Sequence, residues 1–204
     1  MKIPSDWTFN DKEVAEHFDN HVNEQLPWYG IATDAVAHIV RHYLPHNGLV
    51  YDIGASTGNI GRALESVLKE RNALLIAIEQ SREMVERYNA PGYLIHAKAE
   101  GFRYQGFDVA VLFLVLMFCR PGERIHMLKT LQSNLNPGGA IIIFDKMEAQ
   151  DGYFGTVMRR LTMYGKLKNG ATPEQIVRKE LSLAGVQRPV RDFGPEVILP
   201  HLKA

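Results

Sequence analysis

Three observations in the sequence predict a doubly wound α/β fold with a mostly parallel sheet. Short, uninterrupted apolar runs alternate with amphipathic segments of helical period. Strands buried on both faces read this way, and parallel neighbours are reached through helical crossovers. A glycine-bearing turn, Gly54-Ala55-Ser56-Thr57-Gly58, stands between one such run and the amphipathic segment after it, and an acidic residue, Glu79, closes the next run. At 204 residues and 46% hydrophobic content the chain is long enough to bury a core as one domain.

The elements follow in order. Residues 10–24 are expected to be helical, with Val14, Ala15, Phe18 and Val22 on one face and Asn10 and Glu13 at capping-box spacing. Pro27-Trp28-Tyr29-Gly30 breaks that pattern, and a second helix is expected from about Thr33 to just before Pro45 and the Asn47-Gly48 turn. Residues 49–53 read as a buried strand. Ile60, Ala63, Leu64, Val67 and Leu68 then repeat as one face of a helix. A second strand covers 74–78 and ends in Glu79, a short helix follows Ser81, and a third strand covers 93–96. The run 107–117 contains a fourth strand. Pro121 opens a helix that the Asn136-Pro137-Gly138-Gly139 turn closes, and 140–144 is a fifth strand. Beyond it lie a helix capped by Thr172 with Pro173 at its first position, a stop at Gly185, and edge strands near 186–191 and 196–199.

Composition narrows the partners. The formal net charge is zero, so the overall balance draws the chain neither to nucleic acid nor to an anionic membrane. Residues 157–191 hold eight Lys/Arg against two acids. A solvated helical face is the expected reading, with a phosphate-facing surface for RNA as the functional alternative. Cys119 is the single cysteine, which fits a reducing compartment. The first residues lack a signal-peptide apolar stretch, and the longest apolar run, 109–119, is about half of a membrane span. A cytoplasmic protein without membrane contact is expected. No histidine spacing suggests a metal: His38 and His42 sit four apart with no evident third ligand, and read as a solvent-facing pair. Cys119, at the end of a buried run, reads as an inert core thiol.

In an open parallel sheet, ligands bind beyond the carboxyl ends of the strands where strand order reverses. That places the loops after Ile53, Ile78, His96 and the fourth strand on one edge. Gly54 and Gly58 permit a tight turn with close backbone approach, and the helix start beyond Gly58 offers unpaired N–H groups. Glu79, 25 residues after Gly54, stands where a carboxylate can accept hydrogen bonds from both ribose hydroxyls. A pyrophosphate would need glycine where this chain has Ser56, so a nucleoside without phosphates is favoured over NAD.

The pattern Asp52-x-Gly54-x-Ser56-x-Gly58, the acid Glu79, and Leu135-Asn136-Pro137-Gly138-Gly139 before the fifth strand resemble class I S-adenosylmethionine (SAM)-dependent methyltransferases. A closer likeness is to the carboxy-SAM synthase family, long labelled tRNA cmo5U methyltransferases. It rests on Val14-Ala15-Glu16-His17-Phe18, Pro27-Trp28-Tyr29, Tyr51 to Gly58, Pro121-Gly122-Glu123-Arg124, Leu135 to Ala140 and Phe144-Asp145-Lys146, and spans about residues 8–150.

The resemblance implies a Rossmann-like methyltransferase fold and SAM, or carboxy-SAM, as cofactor. It implies a helical lid at 1–46, a core at 47–146 and a shortened C-terminal part at 147–204. It places Gly54, Ala55 and Ser56 at the methionine end, with Asp52 and Gly58 in the same turn, and Glu79 and Gln80 at the ribose. Lys98, Ala99 and Glu100 flank adenine, and Tyr29 closes over the ligand. Phe113 stands where the family has an Asn near the reactive end of SAM, and Lys98 where it has an Asp. The segment in which carboxy-SAM synthases carry an Arg for the extra carboxylate is shorter in this chain. The reading is a SAM-dependent methyltransferase acting on a small-molecule or RNA-linked acceptor, with no catalytic residue assigned and a homodimer implied. Carboxy-SAM synthesis from SAM and prephenate is one alternative. A catalytically idle SAM-binding partner protein is the other, motivated by the apolar run at 113–116.

Overall fold

The computed structural model describes residues 3–148 and 152–190. Five strands, β1 (Leu49–Ile53), β2 (Leu74–Glu79), β3 (Tyr93–His96), β4 (Phe107–Phe113) and β5 (Leu135–Phe144), form one parallel sheet in the order β3-β2-β1-β4-β5. The chain runs outward from β1 to β3, then returns to β4 beside β1. Strand order therefore reverses between β1 and β4, and a crevice opens above their carboxyl ends.

Side-chain alternation divides the core into two layers. Val50, Leu75, Val109 and Val111 face one layer, where helices α3 (Tyr29–Tyr43) and α4 (Asn59–Arg71) bring Val36, Val40, Ile60 and Leu64. Tyr51, Ile53, Ile78, Ala110 and Leu112 face the other, against Met127, Leu128 and Leu131 of α6 (Pro121–Asn134). A one-turn helix, α5 (Arg82–Val85), follows β2 and is capped by Ser81. The C-terminal hairpin consists of α7 (Gly152–Lys168) and α8 (Pro173–Ser182). Thr172 and Gln175 build the capping box that starts α8, and Gly185 takes a positive φ of 76° beyond its end.

Five sequence expectations need correction. The segment 10–24 is two helices, α1 (Lys12–Glu16) and α2 (Phe18–Gln25), broken at His17. The break turns Val14 and Ala15 toward Trp7 and Met84 while Val22 joins the α3–α4 layer, which one straight helix could not do. Asp11, not Asn10, caps α1. The next helix begins at Tyr29 rather than Thr33, because Tyr29 itself is buried against Phe113, with ring centroids 5.3 Å apart. Strand β5 pairs from Leu135, with a register shift on β4 between Phe107 and Val109. Asn136 Nδ2 donates to Asp108 Oδ1 at 3.0 Å, so the expected turn continues the ladder. Of the edge strand near 186–191, the described residues show a single bridge, Met147 to Val190. The strand expected at 196–199 lies outside the described residues.

The two layers and the capping box should differ in weight. Leu64→Ala empties a fully buried position in the α4 face and is expected to cost about 2–5 kcal/mol. Thr172→Ala removes one cap and should cost about 1 kcal/mol. Urea denaturation of the two variants against the parent checks the ranking; equal costs would place the core elsewhere.

Candidate functional site

The crevice at the strand switch is a cavity of about 360 Å³, within the range of small-molecule sites. Its floor is the set of turns that follow the strands. Gly54 (φ 69°), Ser56 (φ 51°) and Gly58 (φ 96°) all take left-handed backbone in the turn between β1 and α4. Ser56 does so despite its Cβ, at a cost that glycine would avoid. At Gly54 a Cβ would lie 2.7 Å from Val115 Cγ2, so only glycine lets the turn pass the loop after β4.

Glu79 closes the floor. Its Oε2 accepts from Ser56 N at 2.8 Å and its Oε1 from Ser81 N at 2.7 Å, joining the turn after β1 to the turn after β2. The side chain lines the cavity, and each carboxylate oxygen retains acceptor capacity. Burial raises its pKa, while the amides of Ser81, Ser56 and Gln80 oppose that rise. Asp52 lies beneath, 1% exposed, with Oδ2 buried and, among the described residues, lacking a hydrogen-bond partner. Burial, then the Glu79 charge, pushes Asp52 up to about 7. A cationic group above these two acids would relieve both.

The N-terminal helices are pinned over this floor by Asp19 of α2. Thr57 Oγ1 donates to its Oδ1 at 2.5 Å and Arg62 Nη2 to its Oδ2 at 3.0 Å. Asn59 Nδ2 adds a bond to Thr33 Oγ1 at 2.9 Å. Tyr29 thereby reaches the cavity wall beside Phe113, which stacks on Phe144 with centroids 5.1 Å apart. Immediately after β4, Leu114 adopts φ 60° and donates its N–H to Phe144 O at 2.7 Å. Left-handed backbone in a branched residue is strained, and here the strain lies on the lip between the two strands.

The structure brings Tyr29, Asp52, Gly54, Ala55, Ser56, Glu79, Gln80, Ala99, Glu100 and Phe113 to one cavity. Gly58 and Lys98 are not in its wall: Gly58 packs toward Ala90 and Tyr88, and Lys98 is exposed. Cys119 is buried at the end of its run, and burial pushes its thiol up to about 12, so no thiolate forms at neutral pH. His38 and His42 face each other at 3.2 Å on the exposed side of α3.

Sequence reasoning missed the roof. Trp7, Phe9, His21 and Gln25 from the N-terminal part, with Lys166 and Lys179 from α7 and α8, also line the cavity. The reading of 157–191 as a solvated basic face is corrected at two positions, since Lys166 and Lys179 are 6% and 7% exposed. Asn169 Nδ2, in the α7–α8 turn, donates to Glu24 O at 2.8 Å and folds the hairpin onto α2. The usable signal was the Asn169-Gly170 stop ahead of Thr172-Pro173, a pairing that fits one helix ending and another beginning.

Comparison with known proteins adds three findings. A family described as a methyltransferase domain matches residues 51–143. A carboxy-S-adenosyl-L-methionine synthase of Staphylococcus epidermidis is 31% identical over 192 residues, covering 92% of this chain and 84% of the relative. The corresponding synthase of Shewanella pealeana is 27% identical, over 91% and 79%. Among solved structures, the plantazolicin methyltransferase BpumL in complex with a pentazolic desmethylPZN analog and SAH has the same fold, with a TM-score of 0.53 at 19% identity over 86% of this chain and 70% of that one.

The raised pKa of Asp52 has a signed consequence for stability. Its folded value of about 7 exceeds the ordinary 3.8, so between these values the folded state binds more protons than the unfolded one, and stability falls as pH rises. The stability difference between the parent and Asp52→Asn should therefore shift against the parent from about pH 4 to pH 7 and level off above. Urea titrations at half-unit pH steps measure it; parallel curves would show that Asp52 is ionised in the fold.

Proposed function

The chain belongs to the carboxy-S-adenosyl-L-methionine synthase family, within the SAM-dependent methyltransferase class, and from that premise we propose that its cavity binds SAM for transfer chemistry at the sulfonium-bound methyl. The observation that carries this reading is the pair of buried acids at the strand switch. Glu79 offers carboxylate lone pairs to a ribose diol, and Asp52 keeps beside it a buried oxygen with no partner among the described residues. SAM is a cation at both its ammonium and its sulfonium, and it carries no phosphate to crowd Ser56. The residues fit the group: Glu79 and Gln80 for the ribose, Ala99 and Glu100 for the adenine edge, and Gly54, Ala55, Ser56 and Asp52 for the methionine end.

When bound, SAM supplies a methyl already activated by its sulfonium leaving group. The protein's work is then alignment and exclusion of water. Tyr29, Phe113 and Phe144 supply an apolar wall beside the reactive end, and aromatic faces attract a sulfonium. The described residues before β1 serve as a lid over the core at 47–146, with α7 and α8 completing the roof. A crevice of about 360 Å³ suits a small-molecule acceptor better than an RNA strand. Among the described residues no helix is long and apolar enough to cross a membrane. A second copy of the chain is proposed against α7, whose Tyr153, Phe154, Leu161 and Tyr164 are all exposed.

S-adenosylhomocysteine keeps the adenosine, ammonium and carboxylate of SAM and lacks only the methyl and the sulfonium charge. At 100 times its Kd it should stabilise the fold by about 2.7 kcal/mol, read as a thermal shift, whereas NAD should give none. Glu79→Ala should abolish the shift. Glu79→Gln keeps one acceptor for the backbone amides and should fold while binding at least about tenfold more weakly. Full binding by the Gln variant, or stabilisation by NAD alone, would reject the site.

A further inference from the structure

A helix stays docked through what its inner face buries, and α2 buries little that holds it. It is eight residues long, and the backbone leaves helical geometry on both sides, at His17 (φ −108°, ψ 8°) and Leu26 (φ −130°, ψ 83°). Its buried side chains are His21, Val22 and Gln25. Two of these are polar, and among the described residues His21 Nε2 and Gln25 Oε1 have no hydrogen-bond partner. A buried polar atom without a partner costs free energy. Val22, the stack of His21 on Trp7, and partly buried Phe18 offset that cost. Yet Phe18, His21, Val22 and Gln25 all line the cavity, so this weakly held helix is one of its walls.

The fastening is on the outer edge. Asp19 stands outside the cavity wall with its side chain 50% exposed, and its carboxylate accepts from both Thr57 Oγ1 and Arg62 Nη2. Arg62 also clamps the turn after β1: its Nη1 donates to Thr57 O at 2.6 Å and to Asn89 O at 3.3 Å. Asn89 N donates to the same Thr57 carbonyl at 3.0 Å. One carboxylate thus ties the N-terminal wall to the residues that shape the turn beneath the nucleoside. At its other end α2 is held by Asn169, through the carbonyls of Asn23 and Glu24. The Arg62 side chain is 37% exposed, so its pairing with Asp19 is screened by salt and modest in strength. Such a contact breaks and re-forms readily.

We propose that α2 is the gate through which the nucleoside enters and leaves, and that Asp19 is its latch. Release of the Thr57 and Arg62 bonds lets the helix swing out from its N-terminal end, while Asn169 holds the other. Glu79 keeps its two amides throughout, because neither bond involves α2. The inference rests on the SAM reading of the floor and concerns how fast the ligand exchanges, not what recognises it. A latch outside the wall has a kinetic signature. A residue that touches the ligand alters the exit rate and the Kd. A gate alters entry and exit by one factor and leaves Kd unchanged, as long as the closed form predominates with and without ligand.

The chain's two tryptophans, Trp7 and Trp28, both line the cavity, so stopped-flow fluorescence of the full chain reports S-adenosylhomocysteine exchange. Asp19→Asn keeps the size of an exposed side chain and removes its charge, so it should fold. It is expected to raise kon and koff together by about three- to tenfold, with Kd changed less than about twofold. Raising NaCl to about 0.5 M should speed both rates in the parent and leave those of the variant unchanged. Hydrogen exchange of the free proteins needs no ligand: the amides of α2 should exchange faster in Asp19→Asn, and those of β1 at the parent rate. Unchanged ligand rates, a rise in koff alone with weaker binding, or equal salt effects in the two proteins would overturn the latch. So would α2 amides that exchange at the parent rate, or β1 amides that speed up with them, which marks general destabilisation. If the parent gives no response to S-adenosylhomocysteine while α2 exchange still rises in the variant, the nucleoside reading fails and the latch stands.

Discussion

A carboxylate taken out of water must be hydrogen-bonded or protonated, and the site is organised around how Glu79 meets that demand. Its two oxygens accept amides from Ser56 and Ser81. One side chain at the end of β2 thus fixes the left-handed turn after β1 and the capped turn that starts α5. The parallel register places these turns side by side, with Ile53 opposite Ile78. The strained backbone of Ser56 persists because it is held at both ends: Ala55 N donates to Ile78 O at 3.0 Å, and Gly58 N to Ala55 O at 2.8 Å. Remove the carboxylate and neither turn has reason to keep its shape. The acid proposed to hold the ribose is thus also what builds the pocket.

That dual use explains why the floor was legible in the sequence. A glycine turn, a buried strand and a terminal acid are local signals, each set by backbone sterics within a few residues. Strand order then follows from short crossovers, which leave few alternatives. The start of α6 at Pro121 was equally local. Arg124, three residues on, has a task no spacing rule reveals: its guanidinium donates to the carbonyls of Cys119, Arg188 and Pro189, at 3.2, 2.6 and 3.4 Å. It ties the residues after α8 beneath the sheet edge. A reader of the sequence sees a helix beginning; the fold uses a buried cation to anchor the chain's return.

The roof was illegible for the opposite reason. Lysines are rarely buried, so a run rich in them reads as a solvated surface, and most of residues 157–191 are solvated. What buries Lys166 and Lys179 is a tertiary event. Asn169 docks the α7–α8 turn on the carbonyls of Asn23 and Glu24, at 3.3 and 2.8 Å. Trp7 wedges between His21, stacked at 5.4 Å, and the Lys179 ammonium. Neither contact leaves a periodic trace, since its partners are some 145 positions apart or come from different helices. The break at His17 was hidden similarly: the apolar period runs through it unbroken, and only the existence of two separate clusters demands the kink.

The two halves of the cavity also differ in how they tolerate being empty. The floor acids are partly satisfied in the free protein: Glu79 by two amides, and Asp52 by taking up a proton near neutral pH. The roof meets the same demand by the opposite transfer. Lys179 sits over the Trp7 indole, with Lys166 opposing its charge and Glu180 favouring it, and burial brings it down to about 6. It is relieved by losing a proton, as Asp52 is relieved by gaining one.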